Sequence, residues 1–248
     1  MVNGVCVSNL EKHGYENFKN TLGITYNNYY HDEGKIREDY YDKLRMFWDI
    51  LYSTFVPCDL LDQFEEPQEG NPLTIEYKDR PVSFDLGMSL YEYYLLSKYM
   101  DFEKVNIIHE IGAGYGRTCY VISKIHPWIK YRIFDMEPSL GVAKQYLRSV
   151  LSDGLFEFNT PDKIGGECDL FLAIDCLHEM IREHVDEYFN YADKNSCYFY
   201  FTAFDKTVVP IDGVTWEIKD YPTRQTWKKI FLKTHGVRQG FFEALYKI

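Results

Sequence analysis

Apolar positions along the chain recur with two periods. Ile36, Tyr40, Leu44, Phe47, Trp48, Leu51 and Phe55 follow one another at threes and fours, the stripe of an amphipathic helix that Pro57 closes. A second helical pattern runs from about Leu86 to Tyr99 through Leu90 and Tyr93 or Tyr94. Between them, residues 63–81 carry Glu-Glu-Pro, Glu-Gly-Asn-Pro and Arg-Pro, which are turn signals. Residues 1–35 are polar, show no period, and are expected to form an irregular or partly mobile lead-in. From Val105 the rhythm changes. Val105, Ile107, Ile108 and Ile111 read as a buried strand, and Cys119, Ile122 and Ile125 as the following helix. Lys130 to Phe134 reads as a strand, and Leu140, Ala143, Tyr146, Leu147, Val150 and Leu151 as one helix face. Leu155 to Phe158 is a short strand, and Asp169 to Asp175 is apolar enough to be buried on both faces. A helix with Leu177, Met180, Ile181, Val185, Tyr188 and Phe189 inward comes next, then a strand over Ser196 to Phe204. A helix from about Arg224 to Lys233 and a last strand over Gly240 to Ile248 complete the pattern.

Alternation of this kind predicts an α/β fold with a doubly wound, mostly parallel sheet over residues 101–248. Residues 1–100 read as a helical appendage or cap. The chain's 248 residues suffice for one large domain with such an appendage. The net charge of −11 repels a phosphate polyanion, and with no basic cluster nucleic acid is excluded as the expected partner. Six cysteines lie without C-x-x-C or zinc spacing, which points to a reducing compartment. No basic, apolar leader and no 18-residue apolar run is present, so a cytoplasmic protein without a membrane span is expected. Nothing in the pattern sets an oligomeric state. The 22 tyrosines and 17 phenylalanines are numerous; Tyr26, Tyr29, Tyr30, Tyr40 and Tyr41 could line a sugar cleft, although core packing is the commoner fate of such rings.

The chemistry gathers at the predicted strand tips. The first strand ends in Glu110-Ile111-Gly112-Ala113-Gly114-Tyr115-Gly116-Arg117, a glycine loop in a βαβ unit. Glycines there permit the tight turn and let a ligand approach the backbone closely. Asp135 falls 23 residues past Gly112, at the next strand tip, where a carboxylate can accept both hydroxyls of a ribose. A dinucleotide fold wants G-x-G-x-x-G with the helix N-terminus on a pyrophosphate, and Arg117 stands where its third glycine would be. The fourth tip reads Asp175-Cys176-Leu177-His178-Glu179-Met180. Its His178 and Glu179 leave the apolar face and are expected in the crevice or solvent, on the first turn of a helix. The positive helix end there would lower the imidazole pKa and keep a general base neutral.

The E-x-G-x-G-x-G loop resembles the first motif of class I S-adenosylmethionine (SAM)-dependent methyltransferases. EIGAGYGR at 110–117, FDMEPSLGVAKQYL at 134–147, AIDCLHEM at 173–180 and YPTRQTW…GFFEALY at 221–246 together resemble the sugar O-methyltransferase branch of that class. The resemblance implies a Rossmann-like fold, SAM as cofactor and a carbohydrate acceptor, either a glycan or a nucleotide sugar. It implies that Glu110 and the loop Gly112, Ala113, Gly114, Tyr115 and Gly116, with Arg117 beside it, cradle the methionine part of SAM. Asp135 would hold the ribose, Met136 would lie against adenine, and Asn159 and Thr160 would reach its edge. Asp175 would contact the ammonium group or orient the acceptor, and His178 would be the base with Glu179 or Asp175 orienting it. Mg²⁺ held by Asp175, His178 and Glu179 is a weaker alternative, because hard-cation sites prefer several carboxylates. A nicotinamide oxidoreductase, a methyltransferase for a non-sugar small molecule and a catalytically silent scaffold are the rival readings. His13, His31, His109, His126, His184 and His235 are expected to be structural, and Glu65-Glu66 and Arg182-Glu183 to be solvated surface.

Overall fold

The computed structural model describes residues 15–22, 39–152, 154–209 and 213–248. Its centre is a seven-stranded sheet. Five parallel strands are laid down first: β3 (Ile107–Ile111), β4 (Lys130–Phe134), β5 (Leu155–Asn159), β6 (Cys168–Ile174) and β7 (Ser196–Phe204). The last two strands, β10 (Lys228–Thr234) and β11 (Phe241–Lys247), form an antiparallel hairpin, and β11 adds antiparallel to β7. The order is β10-β11-β7-β6-β3-β4-β5. The direction of winding therefore reverses at β3, which opens a crevice at the carboxyl ends of β3, β4 and β6. β1 (Ile75–Glu76) with β2 (Pro81–Val82), and β8 (Lys206–Val208) with β9 (Thr215–Glu217), are small separate hairpins.

Side-chain alternation sorts the strands into two cores. Leu170, Leu172 and Ile174 of β6 join Ile108, Tyr131, Ile133, Tyr200 and Leu245 on one face. They meet α5 (Arg117–Ile125), α6 (Ser139–Val150) and α4 (Phe84–Ser97), and the same cluster continues into α2 (Tyr40–Ile50) and the short α3 (Cys58–Leu61). Phe171 and Ala173 point the other way, with Phe199, Phe201 and Phe242, onto Val185, Phe189 and Ala192 of α7 (Arg182–Asn195). The helices N-terminal to β3 and one face of the sheet thus share a continuous core. α4 begins where the Ser83 hydroxyl accepts the Leu86 N–H at 3.0 Å, a side-chain N-cap. It is buried nearly all round, as a helix wedged between cap and sheet must be.

The predicted doubly wound sheet is present, and its strands fall within a residue or two of their predicted bounds. Two predicted helices are corrected. Residues 224–233 are a turn followed by strand β10, because Lys228 to Thr234 finds a partner in β11 that helical counting could not reveal. Its lysines at 228, 229 and 233 stand on the sheet edge, where charge discourages further pairing. The segment after Asp175 is a single 3₁₀ turn, Leu177–Glu179, and α7 starts only at Arg182. The long first helix is described from Tyr40 and ends in a π turn over Leu51–Phe55; Ile36 lies outside the described residues. Within the lead-in, Phe18–Leu22 form a short helix, α1, whose Phe18, Lys19 and Asn20 are buried. Glu66 is not solvated surface: it is buried and ion-paired to Lys19 Nζ at 2.5 Å. Among the described residues no helix is long and apolar enough to cross a membrane.

Candidate functional site

The strand tips are tied into one row by backbone hydrogen bonds. Gly112 N–H donates to Phe134 O at 2.9 Å, and Asp135 N–H donates to Asn159 O at 3.2 Å. All three glycines of the loop have positive φ, 67° at Gly112, 60° at Gly114 and 87° at Gly116. At Gly112 the requirement is also steric, since a Cβ there would stand 2.5 Å from Cys176 Cβ. Cys176 Sγ in turn donates to Ile111 O at 3.2 Å, so the β6 tip is clasped directly behind the loop. The sequence regions 110–116 and 175–179 therefore meet, as the crevice argument requires.

Asp135 is the hinge of that junction. Its Oδ2 accepts Gly114 N–H at 2.7 Å and its Oδ1 accepts Met136 N–H at 2.7 Å. Burial pushes its carboxyl up to about 6, against the lowering effect of the two N–H donors. Glu110 lies beneath the loop, buried, accepting the Tyr131 hydroxyl at 2.7 Å; burial raises its carboxyl to about 7. Met136 is 42% exposed beside Asp135, and Asn159 and Thr160 are half-buried at the tip of β5. The main chain of α1 closes over the loop, with Leu22 O 3.3 Å from where a Gly114 Cβ would be.

Two expected loop contacts face elsewhere. Tyr115 is buried away from the crevice, donating its hydroxyl to Asp85 Oδ2 at 2.8 Å and packing on Phe18 and Tyr146. Arg117 makes a two-pronged ion pair with Glu92 at 2.8 and 2.9 Å and reaches Ser89 at 3.0 Å. Both side chains fasten α4 to the loop. Only their backbone is available to a ligand, because an arginine left free on the crevice side would have been an unpaired charge. Ala113 is buried within the loop.

At the β6 tip, Asp175 has φ 63°, uncommon for a residue with a Cβ. Arg238 forms an ion pair with it. Burial alone would raise the Asp175 carboxyl, but Arg238, His178 and Arg117 hold it below its ordinary value. His178 corrects the expectation of an exposed helix start. It is buried, edge-on to Phe204 and Phe241 at 4.6 and 5.9 Å, and burial rather than a helix dipole lowers its pKa to about 4. Glu179 is half-buried, and burial, then the charge of Asp175, raises it to about 7. Burial, then the charges of Asp135, Glu110, Glu179 and Asp175, push the Cys176 thiol far up. Among the described residues no group of three or more His, Cys, Asp or Glu side chains is placed to hold a metal ion.

Sequence reasoning missed Cys176 and Arg238. Cys176 reads as an ordinary small apolar residue, and its role depends on a packing distance. Arg238 lies on the turn of a hairpin whose first strand reads as a helix by apolar spacing, so no pattern places it beside Asp175. Of the other histidines, His109 is buried against Tyr191, His126 meets Tyr93 at 2.9 Å, and His184 is on the surface. His13 and His31 lie outside the described residues, as do Tyr26, Tyr29 and Tyr30; Tyr40 is buried in the core and Tyr41 is 44% exposed. Arg182 and Glu183 are exposed as expected.

Strand order, helices packed on both faces of the sheet and the glycine loop together define a Rossmann-like α/β fold, the fold that the sequence resemblance implies. Among solved structures the chain is similar to the PH0226 protein from Pyrococcus horikoshii OT3, with a TM-score of 0.50 and 16% identity over 62% of this chain and 85% of that one. It is also similar to the mitomycin 7-O-methyltransferase MmcR (TM-score 0.49, 10% identity, 82% of this chain and 67% of that one). An O-methyltransferase family protein from Burkholderia thailandensis follows (TM-score 0.48, 12% identity, 66% of this chain and 58% of that one). The chain spans 52% to 60% of the length of several of these structures. No protein-family model matches the chain, and no curated protein matches it in sequence.

Proposed function

We propose that the chain is a SAM-dependent O-methyltransferase whose acceptor is a hydroxyl group, with a sugar hydroxyl as the favoured acceptor. One observation carries the reading: Glu110 lies beneath, and Asp135 is hydrogen-bonded onto, a glycine loop whose arginine is turned away into an ion pair with Glu92. Carboxyl groups there attract a sulfonium and an ammonium group and repel a diphosphate. The glycine cradle, a half-buried acid at the β4 tip and an exposed methionine beside it fit a nucleoside with no phosphate. The sugar assignment rests on the four sequence stretches named above. The cap residues would then stand on the acceptor side.

When bound, SAM supplies an electrophilic methyl; the acceptor oxygen bonds to that carbon, the carbon–sulfur bond breaks, and S-adenosylhomocysteine leaves with the bonding pair. The chain's part is to bind, align and accept the hydroxyl proton, with positioning supplying most of the acceleration. Glu179 is the better matched proton acceptor, since burial brings its carboxyl to about 7, near working pH. His178, neutral above about 4, serves as a hydrogen-bonding group to the acceptor.

Calorimetric titration with SAM and S-adenosylhomocysteine tests the cofactor, and labelled SAM with a panel of glycosides tests the acceptor. Asp135→Ala should lower SAM affinity on the order of a hundredfold, or about 3 kcal/mol, through lost charge-assisted hydrogen bonds. A wild-type chain that binds neither compound would leave only the catalytically silent fold.

A further inference from the structure

The turn between β10 and β11 brings unusual chemistry to the β6 tip. Arg238 pairs with Asp175 and lies over the Phe241 ring, 3.4 Å from its centroid. His235, at the start of the same turn, is buried against Tyr91 with ring centroids 5.2 Å apart. Its Nδ1 accepts the Val237 N–H at 3.3 Å, which leaves the ring proton on Nε2. That Nε2 is buried with no hydrogen-bond partner among the described residues. The same is true of Asp175 Oδ1 and of His178 Nδ1. The charge of Asp175 acts on both imidazoles. Three buried orphan atoms on residues that adjoin or lie on the turn carrying one ion pair are costly, and native proteins rarely leave such groups unsatisfied. The strained φ of Asp175 is a second mark of a site.

The local charge balance defines what fits. Arg238 and Asp175 cancel, and Arg117 is already paired with Glu92. Both imidazoles are held neutral, His178 to about 4 and His235 to about 3, chiefly by burial. A carboxylate or phosphate would enter without a free counter-charge, which a buried site penalises heavily. An uncharged ligand bearing both hydroxyl donors and oxygen acceptors would satisfy the orphans.

Resting on the methyltransferase reading, we propose that the turn His235–Gly240 is the acceptor-recognition element. His235 Nε2–H donates to one oxygen of an uncharged polyhydroxyl acceptor, and Asp175 Oδ1 accepts from a neighbouring hydroxyl. Arg238 is a positioning residue that holds Asp175 in place, and His178 packs on Phe241, the ring that Arg238 covers.

The test uses the full chain with ¹⁵N-labelled histidine, saturated with S-adenosylhomocysteine and titrated with methyl pyranosides or, separately, benzoate. His178→Gln and His235→Gln assign the signals by their loss. The imidazole signals of His178 and His235 should move together with at least one pyranoside, while benzoate moves neither and His184 stays still. Arg238→Ala should raise the pyranoside midpoint at least tenfold. A panel that leaves the His235 signal unmoved, a response to benzoate, or an unchanged midpoint in Arg238→Ala overturns the proposal. Calorimetry with S-adenosylhomocysteine on the same sample reports separately on the methyltransferase reading, and the pyranoside response can be read without it.

Discussion

At the scale of single residues, the site stores charge where the fold would rather have none. Glu110 is buried with one hydroxyl donor, and burial lifts its carboxyl from the ordinary 4.5 to about 7. A folded-state pKa above the unfolded one means stability that is full below pH 4.5 and is lost as pH rises through 7. Glu110→Gln, which keeps an acceptor for Tyr131, should therefore stabilise the chain at pH 8 by on the order of 2–3 kcal/mol. The gain should vanish at pH 4.5 in urea denaturation; an equal gain at both pH values would show that ionisation is not the cause. The same logic separates the two proton acceptors. A base works deprotonated, so turnover carried by Glu179 should fall as pH drops through about 7, whereas His178 would hold the rate down to about 4. Glu179→Gln should lose about 10²–10⁴ in turnover together with that acidic limb. An acidic limb near pH 4 in the wild type would move the role to His178.

At the scale of elements, the loop and the β6 tip are fitted by contact between backbone-fixed atoms. Gly112→Ala would bring a Cβ within 2.5 Å of Cys176 Cβ, at φ 67°, and neither atom is the far end of a flexible side chain. Gly240 has φ 75° with nothing within 4 Å of a built Cβ, so Gly240→Ala carries backbone strain alone. The expected costs are about 1 kcal/mol for Gly240→Ala and at least 2–3 kcal/mol for Gly112→Ala, read from urea midpoints. Equal costs would remove the role given to Cys176. These elements also show what the sequence made legible. The buried strands β6 and β7 and the glycine loop announce themselves by local composition, because burial on two faces and a tight turn restrict residue type. β10 does not, because Lys228 to Thr234 becomes a strand only through its pairing with β11, a non-local fact. The misplaced helix start at Leu177 had a similar origin, since Leu177 and Met180 fit both a helix face and a 3₁₀ turn packed against β7.

At the scale of the whole molecule, the cap and the crevice are joined by buried polar pairs that no periodic pattern could expose. α4 sends Asp85 to Tyr115, Glu92 to Arg117, and Tyr91 to Glu243, reaching the glycine loop and the last strand at once. Sequence spacing identified α4 by its apolar positions and left the partners of its polar residues open. Their partners lie 25 to 152 residues away in the chain. If these pairs hold the cap onto the loop, the Glu92–Arg117 pair should behave as a unit. Glu92→Leu alone leaves a buried guanidinium with Ser89 as its remaining hydrogen-bond partner, and should cost about 3–5 kcal/mol. Arg117→Met alone strands the carboxylate and should cost a similar amount. The double variant, with neither charge present, should be more stable than either single one, giving a coupling energy of at least about 3 kcal/mol in a urea-denaturation cycle. Because Arg117 directly follows the loop, Glu92→Leu should also weaken SAM binding, although Glu92 is proposed to touch no ligand. Additive single costs, or SAM affinity unmoved by Glu92→Leu, would mean that the cap merely rests on the loop and does not shape it.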